Sequence, residues 1–411
     1  MRHQFVTIIA LAASLTCSWS LAADSAPLVE SYLLSGRLAD GEQSLANHLK
    51  VSPRDDLARF GLGTLQLLQA IERVAQSLYH YGLRDQSNRI PLPILRMPLP
   101  SNPQPTKIGY ADSRKILQTL VDDLAAAEKT LAAVESKEVK LPLHFGRIRL
   151  DLDGDGAIGE EETLWRIYAR LNRAMQVSQA DAESFVIAFD KADVAWLRGY
   201  CHLLMTLSEM VLAYDTHDLF DRTAHLFFEK VNSPFEFLSN GRKLFEFNQV
   251  DVVDVIAFIH LLNFPVAEPQ RMQSALGHLQ QVIALSRVTW SELLAETDDD
   301  HEWIPNPKQT GVIPNVRITQ EMVDGWYEFL DETEQILQGK KLLPFWRGND
   351  QRGINFKRVF TEPRKFDLVL WIQGTDIAPY LEAGEVTKPE VWRRLDRLFR
   401  GEFIGFAVWF N

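Results

Sequence analysis

The chain has 411 residues, two cysteines and a formal net charge of −12. That acidic balance, without any basic run, argues against nucleic acid as a partner. Beyond the leader no apolar stretch is long enough to span a bilayer, and the remaining length holds one large or two ordinary domains.

The start reads as a secretory leader. Arg2 and His3 precede an apolar run from Phe5 to Leu15, and Ser20 and Ala22 fit cleavage after Ala22. Residues 1–22 are therefore set aside as a signal peptide, and a periplasmic or secreted location is expected. Ser14-Leu15-Thr16 before Cys17 fits a lipid-anchor motif poorly, so the mature protein is expected to carry no membrane span. Cleavage leaves Cys201 alone, which rules out an intrachain disulfide.

Residues 24–87 read as helices with breaks at Gly36 and Pro53, the third starting at Asp55-Asp56. Pro53 followed by Leu62-Gly63 is similar to the join between two tetratricopeptide repeats, and an ordinary helical hairpin is the other reading. Residues 88–110 hold six prolines (Pro91, Pro93, Pro98, Pro100, Pro103 and Pro105), which exclude helix. Leu92, Ile94, Leu95, Met97 and Leu99 suggest an arm lying on the body.

The rest, 111–411, is expected to be a helical body. A helix capped by Asp112 or Ser113 presents Ile116, Leu117, Leu120, Leu124, Leu131 and Val134 on one face. The approach from Leu141 to Leu150 contains Pro142 and Gly146 and reads as extended. It leads into Asp151-Leu-Asp-Gly-Asp-Gly-Ala-Ile-Gly-Glu-Glu-Glu162. Three aspartates at alternate positions, a glycine at the sixth and a glutamate at the twelfth bring carboxylates to a hard cation that prefers oxygen. This stretch resembles the EF-hand calcium loop. The resemblance implies Asp151, Asp153, Asp155, the Ala157 carbonyl and Glu162 as calcium ligands, with Ile158 pinning the loop. An exit helix with Leu164, Ile167, Tyr168, Leu171 and Met175 on one face follows. The incoming helix and the second loop of a paired EF-hand are missing, which points to a structural site and not a sensor.

Further on, a helix from Ala192 to Tyr214 is expected to bury Trp196, Tyr200, Leu203, Leu204, Leu207 and Val211, with Cys201 as a structural thiol. His217, Asp221 and His225 would stack at i, i+4 and i+8 on a helix, which could hold a metal or simply face solvent. His260, in the apolar helix Val252 to Leu262, and His278 read as core histidines. Helices at 270–296 and 318–338 flank a long loop with the acidic run 298–302, which reads as a ligand wall or a long crossover. Short apolar runs at Leu342–Trp346, Ile354–Phe360 and Phe366–Trp371 suggest a few strands near the C-terminus, Val391–Phe399 a helix, and Phe403–Asn411 a packed end that could be a strand.

The expected fold is mostly α, a multi-helix bundle-like body. The function expected is that of a calcium-binding protein of the cell envelope with a protein partner, acting as a binding or scaffold protein; the alternative is a secreted hydrolase using carboxylates or the His-Asp face. No G-x-S-x-G, H-E-x-x-H or phosphate-loop motif is present.

Overall fold

Helix-starting chemistry is spread along the chain, and the computed structural model uses it. It describes residues 27–84, 97, 99–171, 180, 184–240, 249–312, 317–347, 352–399, 403 and 406–407. Fourteen α-helices stand among them: α1 (Glu30–Ser35), α2 (Leu38–Val51), α3 (Asp56–His80), α4 (Tyr110–Ala132), α5 (Leu164–Leu171), α6 (Lys191–Leu212), α7 (His217–Thr223), α8 (Glu236–Asn240), α9 (Gln249–Leu261), α10 (Pro269–Ala295), α11 (Gln320–Leu337), α12 (Phe356–Thr361), α13 (Leu368–Gln373) and α14 (Pro389–Leu398). The protein is mostly helical, as the periodicity predicts. Residues 1–26 and 85–96 lie outside the described residues.

The caps explain the boundaries. Asp55 accepts the Ala58 N–H at 2.9 Å and opens α3, while Asp190 accepts from Ala192 at 2.8 Å and opens α6. Pro269 and Pro389 begin α10 and α14, where the missing N–H costs nothing. Gly36 ends α1 with φ +67°, the left-handed turn glycine makes without penalty. At α4 the cap differs from expectation: the helix begins at Tyr110 after Gly109, and Asp112 reaches back to accept the Gly109 N–H at 2.9 Å.

The long helices pack side by side in the order α2, α3, α4, α6, α10, and α11 and α12 then lie against α10. A contiguous apolar core runs through this row, with Phe60, Trp290, Trp326, Tyr380 and Phe360 fully buried. Each large apolar side chain removed from water contributes about 1.5–3 kcal/mol. The Trp326 indole N–H donates to the Ser286 hydroxyl at 2.9 Å, which satisfies a buried polar pair between α11 and α10. On α6 the buried stripe is Trp196, Leu197, Cys201, Met205 and Leu212; Leu207 and Val211 are exposed, so the expected stripe is rotated. The apolar residues on α6 outnumber one face, and packing against both α4 and α10 decides which turn inward.

Strands are short and antiparallel. β1 (Leu141–Leu143) pairs with β2 (Ile187–Phe189) just before the acidic loop, and so not near the C-terminus. β3 (Asn263–Phe264) pairs with β6 (Phe366–Asp367), and β5 (Gly353–Ile354) lies between β4 (Leu343–Pro344) and β7 (Leu381–Glu382). The runs at 356–361 and 368–373 are the helices α12 and α13. In the apolar end, Phe403 and Phe406 are helical and pack on Trp326, with Phe406 4.2 Å from Phe399 between ring centroids. Met97 and Leu99 of the proline-rich arm lie against the core, and the Thr106 N–H donates to the His80 carbonyl at 3.0 Å. No described helix is long and apolar enough to cross a membrane.

Candidate metal centre

The acidic loop is held at both ends by backbone. After β1 the chain makes a 3₁₀ turn at Phe145–Arg147, in place of the α-helix that leads into a usual EF-hand. The Arg149 N–H then donates to the Leu33 carbonyl at 3.0 Å. Leu150 N–H donates to Glu162 O at 3.0 Å and Leu164 N–H to Ile148 O at 2.7 Å, so the two ends of the loop are stitched together. Ile148, Leu150 and Leu152 are fully buried and anchor the incoming side. Ile158 is pressed against Gly36, where an added Cβ would overlap its δ-methyl. The exit helix is α5, whose first residue is Leu164; Met175 lies outside the described residues.

Between these anchors the chain coils through two glycines in the left-handed region, Gly154 at φ +77° and Gly156 at φ +74°. Asp151 accepts N–H groups from Gly154 at 2.8 Å and Gly156 at 3.2 Å. Asp153 accepts from Asp155 at 3.2 Å, and Asp155 from Ala157 at 2.6 Å. The turn thereby brings the carboxylates of Asp151, Asp153 and Asp155 within 4.8 Å of one another. Glu162 stands beside them, its two oxygens accepting the Leu152 N–H at 2.8 Å and the Gly159 N–H at 2.7 Å.

Like charges at this distance leave a signature. Partial burial raises the Asp153 carboxyl above its usual range, and the charges of Asp155 and Asp151 add to this. Glu162 is raised for the same reasons, burial first and then Asp153 and Asp151. The donor set is oxygen only and strongly anionic, which fits a hard cation such as calcium and not a soft one.

One carboxylate at the loop was not legible as part of it. Glu72, on α3, accepts the Asp151 N–H at 2.7 Å, and Gln76 one turn on donates to the Asp151 carbonyl at 2.8 Å. Burial pushes Glu72 up to about 7, against the stabilising Asp151 N–H and with the charges of Asp151 and Glu162. The available signal was a charge on an apolar stripe: Glu72 falls between Leu68 and Ala75, both buried. Nothing in the sequence says which distant backbone group that charge meets.

A second acidic cluster joins the α6 cap to the long loop after α10. Carboxylates of Asp190, Glu296 and Glu302 lie within 4.8 Å of one another. Burial, and then the Asp190 charge, push Glu296 up to about 9, and burial pushes Glu302 up to about 7. Asp193, fully enclosed beneath them, is raised far above the carboxylate range by burial. A proton held on Glu296 at neutral pH eases this close approach of like charges. The exposed run Asp298–Asp300 is tied to Lys140.

The His217, Asp221 and His225 arrangement does not form on one face. α7 ends at Thr223, whose φ of −126° departs from helix, and His225 falls in the 3₁₀ turn that follows. His217 stacks on Tyr110 with centroids 4.5 Å apart and sits 3.5 Å from Asp221. His260 is exposed and not a core residue, since α9 shows that side to solvent; His278 is half-buried, 2.9 Å from His202. Cys201 is buried, and burial pushes its thiol up to about 12, so it is inert as a nucleophile.

Comparison of the chain with protein-family models, curated proteins and solved structures finds no match.

Proposed function

We propose that this is a secreted or periplasmic calcium-binding protein in which one EF-hand-like loop serves as a structural clamp. The observation that carries the reading is the convergence of Asp151, Asp153 and Asp155 within 4.8 Å on a loop coiled by Gly154 and Gly156. The ion's ligands are those three carboxylates, the Ala157 carbonyl and Glu162, with Glu72 and Gln76 holding the start of the loop from α3. The leader-like sequence at residues 1–22 supports the location, where millimolar calcium suits weak sites.

The clamp has a mechanical role. The loop touches α1 through Ile158 and Gly36 and α3 through Glu72, so neutralising its charges secures the N-terminal hairpin to the body. That hairpin, tetratricopeptide-like in its Leu62-Gly63 signature, makes a binding or scaffold protein of the cell envelope the broader reading. Calcium titration by calorimetry tests it: one site in the wild type, lost in Asp151→Ala, supports the clamp, and unchanged affinity in Asp151→Ala overturns it.

A secreted hydrolase is the second reading. In its favour is the Asp190, Glu296 and Glu302 cluster, where a protonated carboxyl beside an ionisable one is the pairing that acid–base catalysis uses. A hydrolysis screen on glycoside and peptide substrates decides it: activity abolished by Glu296→Gln supports this reading, and no turnover of any of them counts against it.

A further inference from the structure

The exposed large apolar side chains of the described residues are not spread evenly. On α9, Val252, Ile256 and Ile259 are 58%, 60% and 43% exposed, and they fall at i, i+4 and i+7, one face of the helix. On α13, Val369 and Ile372 are 50% and 65% exposed, and Trp346 beside them is 53% exposed. These elements form one continuous surface. The Leu368 N–H donates to the Leu262 carbonyl at 2.9 Å, β3 pairs with β6 between the two helices, and the Trp346 indole N–H donates to the Ile372 carbonyl at 3.0 Å. A shallow pocket of about 610 Å³ lies among Trp346, Arg347, Leu368 and Ile372. Folded soluble proteins rarely leave so much apolar surface bare unless something covers it.

The charge beside this surface identifies the occupant. Arg347 lines the pocket, and Arg364 and Lys365 immediately precede β6; all three are exposed, and Arg364 lies close enough to Glu362 to lower its carboxyl. The one carboxylate of β6, Asp367, is engaged by the Asn263 amide at 2.8 Å. In a chain of net charge −12, three exposed cations at the margin of an apolar face mark a region of opposite sign. A second copy of the chain would set the same cations against each other. A bilayer with anionic headgroups offers both an apolar interior for branched aliphatic side chains and negative charge for the arginines and lysine. Trp346, apolar with one N–H already satisfied, suits the headgroup boundary.

We infer that the α9–α13 face, with Trp346 and its flanking cations, docks on the surface of an anionic phospholipid membrane. The inference does not rest on the calcium reading, and chelator in every sample keeps the two separate. The test is co-sedimentation of the full chain with phosphatidylcholine vesicles, with and without phosphatidylglycerol. It is repeated without residues 1–22, because the apolar leader itself binds lipid. The expected result is binding that requires phosphatidylglycerol, falls with added salt, and drops about tenfold or more in the double variant Ile256→Asp, Ile372→Asp. Arg364→Glu with Lys365→Glu abolishes the preference for phosphatidylglycerol. All four side chains are exposed, and an unchanged circular dichroism melt confirms that the variants fold. Lack of binding to either vesicle, or equal binding by wild type and double variant, overturns the inference. So does concentration-dependent dimerisation in sedimentation velocity that the double variant abolishes, which would make a second copy the occupant.

Discussion

Replacing Asp153 by asparagine tests the electrostatics of the loop in two opposite directions at once. Asparagine keeps the oxygen that accepts the Asp155 N–H, so geometry is preserved and only charge is lost. At the 4.8 Å limit of the cluster, each like-charged pair costs about 0.9 kcal/mol in bulk water. Asp153 takes part in two such pairs, with Asp151 and with Asp155, so the substitution relieves about 1.7 kcal/mol, cut by screening to about 1 kcal/mol at 0.15 M salt. In chelator, Asp153→Asn therefore melts about 1–3 °C above the wild type, with the larger gap at low salt. With calcium at a hundred times the wild-type Kd, the wild type gains about 2.7 kcal/mol by mass action. A variant that binds tenfold more weakly gains only about 1.4 kcal/mol, so at 0.15 M salt the wild type overtakes it by about 0.3 kcal/mol, while at low salt the variant still melts higher. Scanning calorimetry in chelator and in calcium, at two salt concentrations, reads both effects. If Asp153→Asn melts at or below the wild type in chelator at both salts, the carboxylates do not repel and the reasoning fails. If calcium raises both proteins equally, Asp153 is no ligand.

Three further outcomes are expected. Glu72→Ala leaves the Asp151 N–H without its partner and costs about 1–3 kcal/mol in denaturant unfolding, whereas Glu72→Gln, which can still accept that bond, costs much less. Gly36→Ala places a Cβ at φ +67° and against Ile158, and loses at least about 1–2 kcal/mol while weakening calcium binding through the displaced loop. The Glu296 and Glu302 carboxyls are raised in the fold, to about 9 and about 7, so the folded state binds more protons than the unfolded chain. Stability then falls as pH rises from about 5 towards 9, and Glu296→Gln flattens that slope in urea titrations across the same range.

The acidic loop was legible because its signal is local. Spacing, glycine positions and a terminal glutamate lie within twelve residues, and the structure brings Asp151, Asp153 and Asp155 together. Glu72 was not legible, because it meets Asp151 from 79 residues away and its position on α3 only marks it as a buried charge. The carboxyl cluster at Asp190, Glu296 and Glu302 escaped for the same reason: its members come from the α6 cap and from the far side of α10. The His217, Asp221 and His225 stack does not form because the helix gives way to a 3₁₀ turn after Thr223, which spacing alone does not reveal.

What the sequence determined by itself is what depends on near neighbours. Helix caps at Asp55 and Asp190, the left-handed stop at Gly36, and the coil of the acidic loop are set by groups within a few residues of one another. Only the tertiary structure decided which face of each apolar helix turns inward. α6 is apolar enough to bury several faces, and its contacts with α4 and α10 leave Leu207 and Val211 in solvent. α9 is apolar nearly all round, and with only part of it covered, Val252, Ile256 and Ile259 remain outside. Hydrophobicity has no direction along a chain; the neighbours that packing supplies give it one.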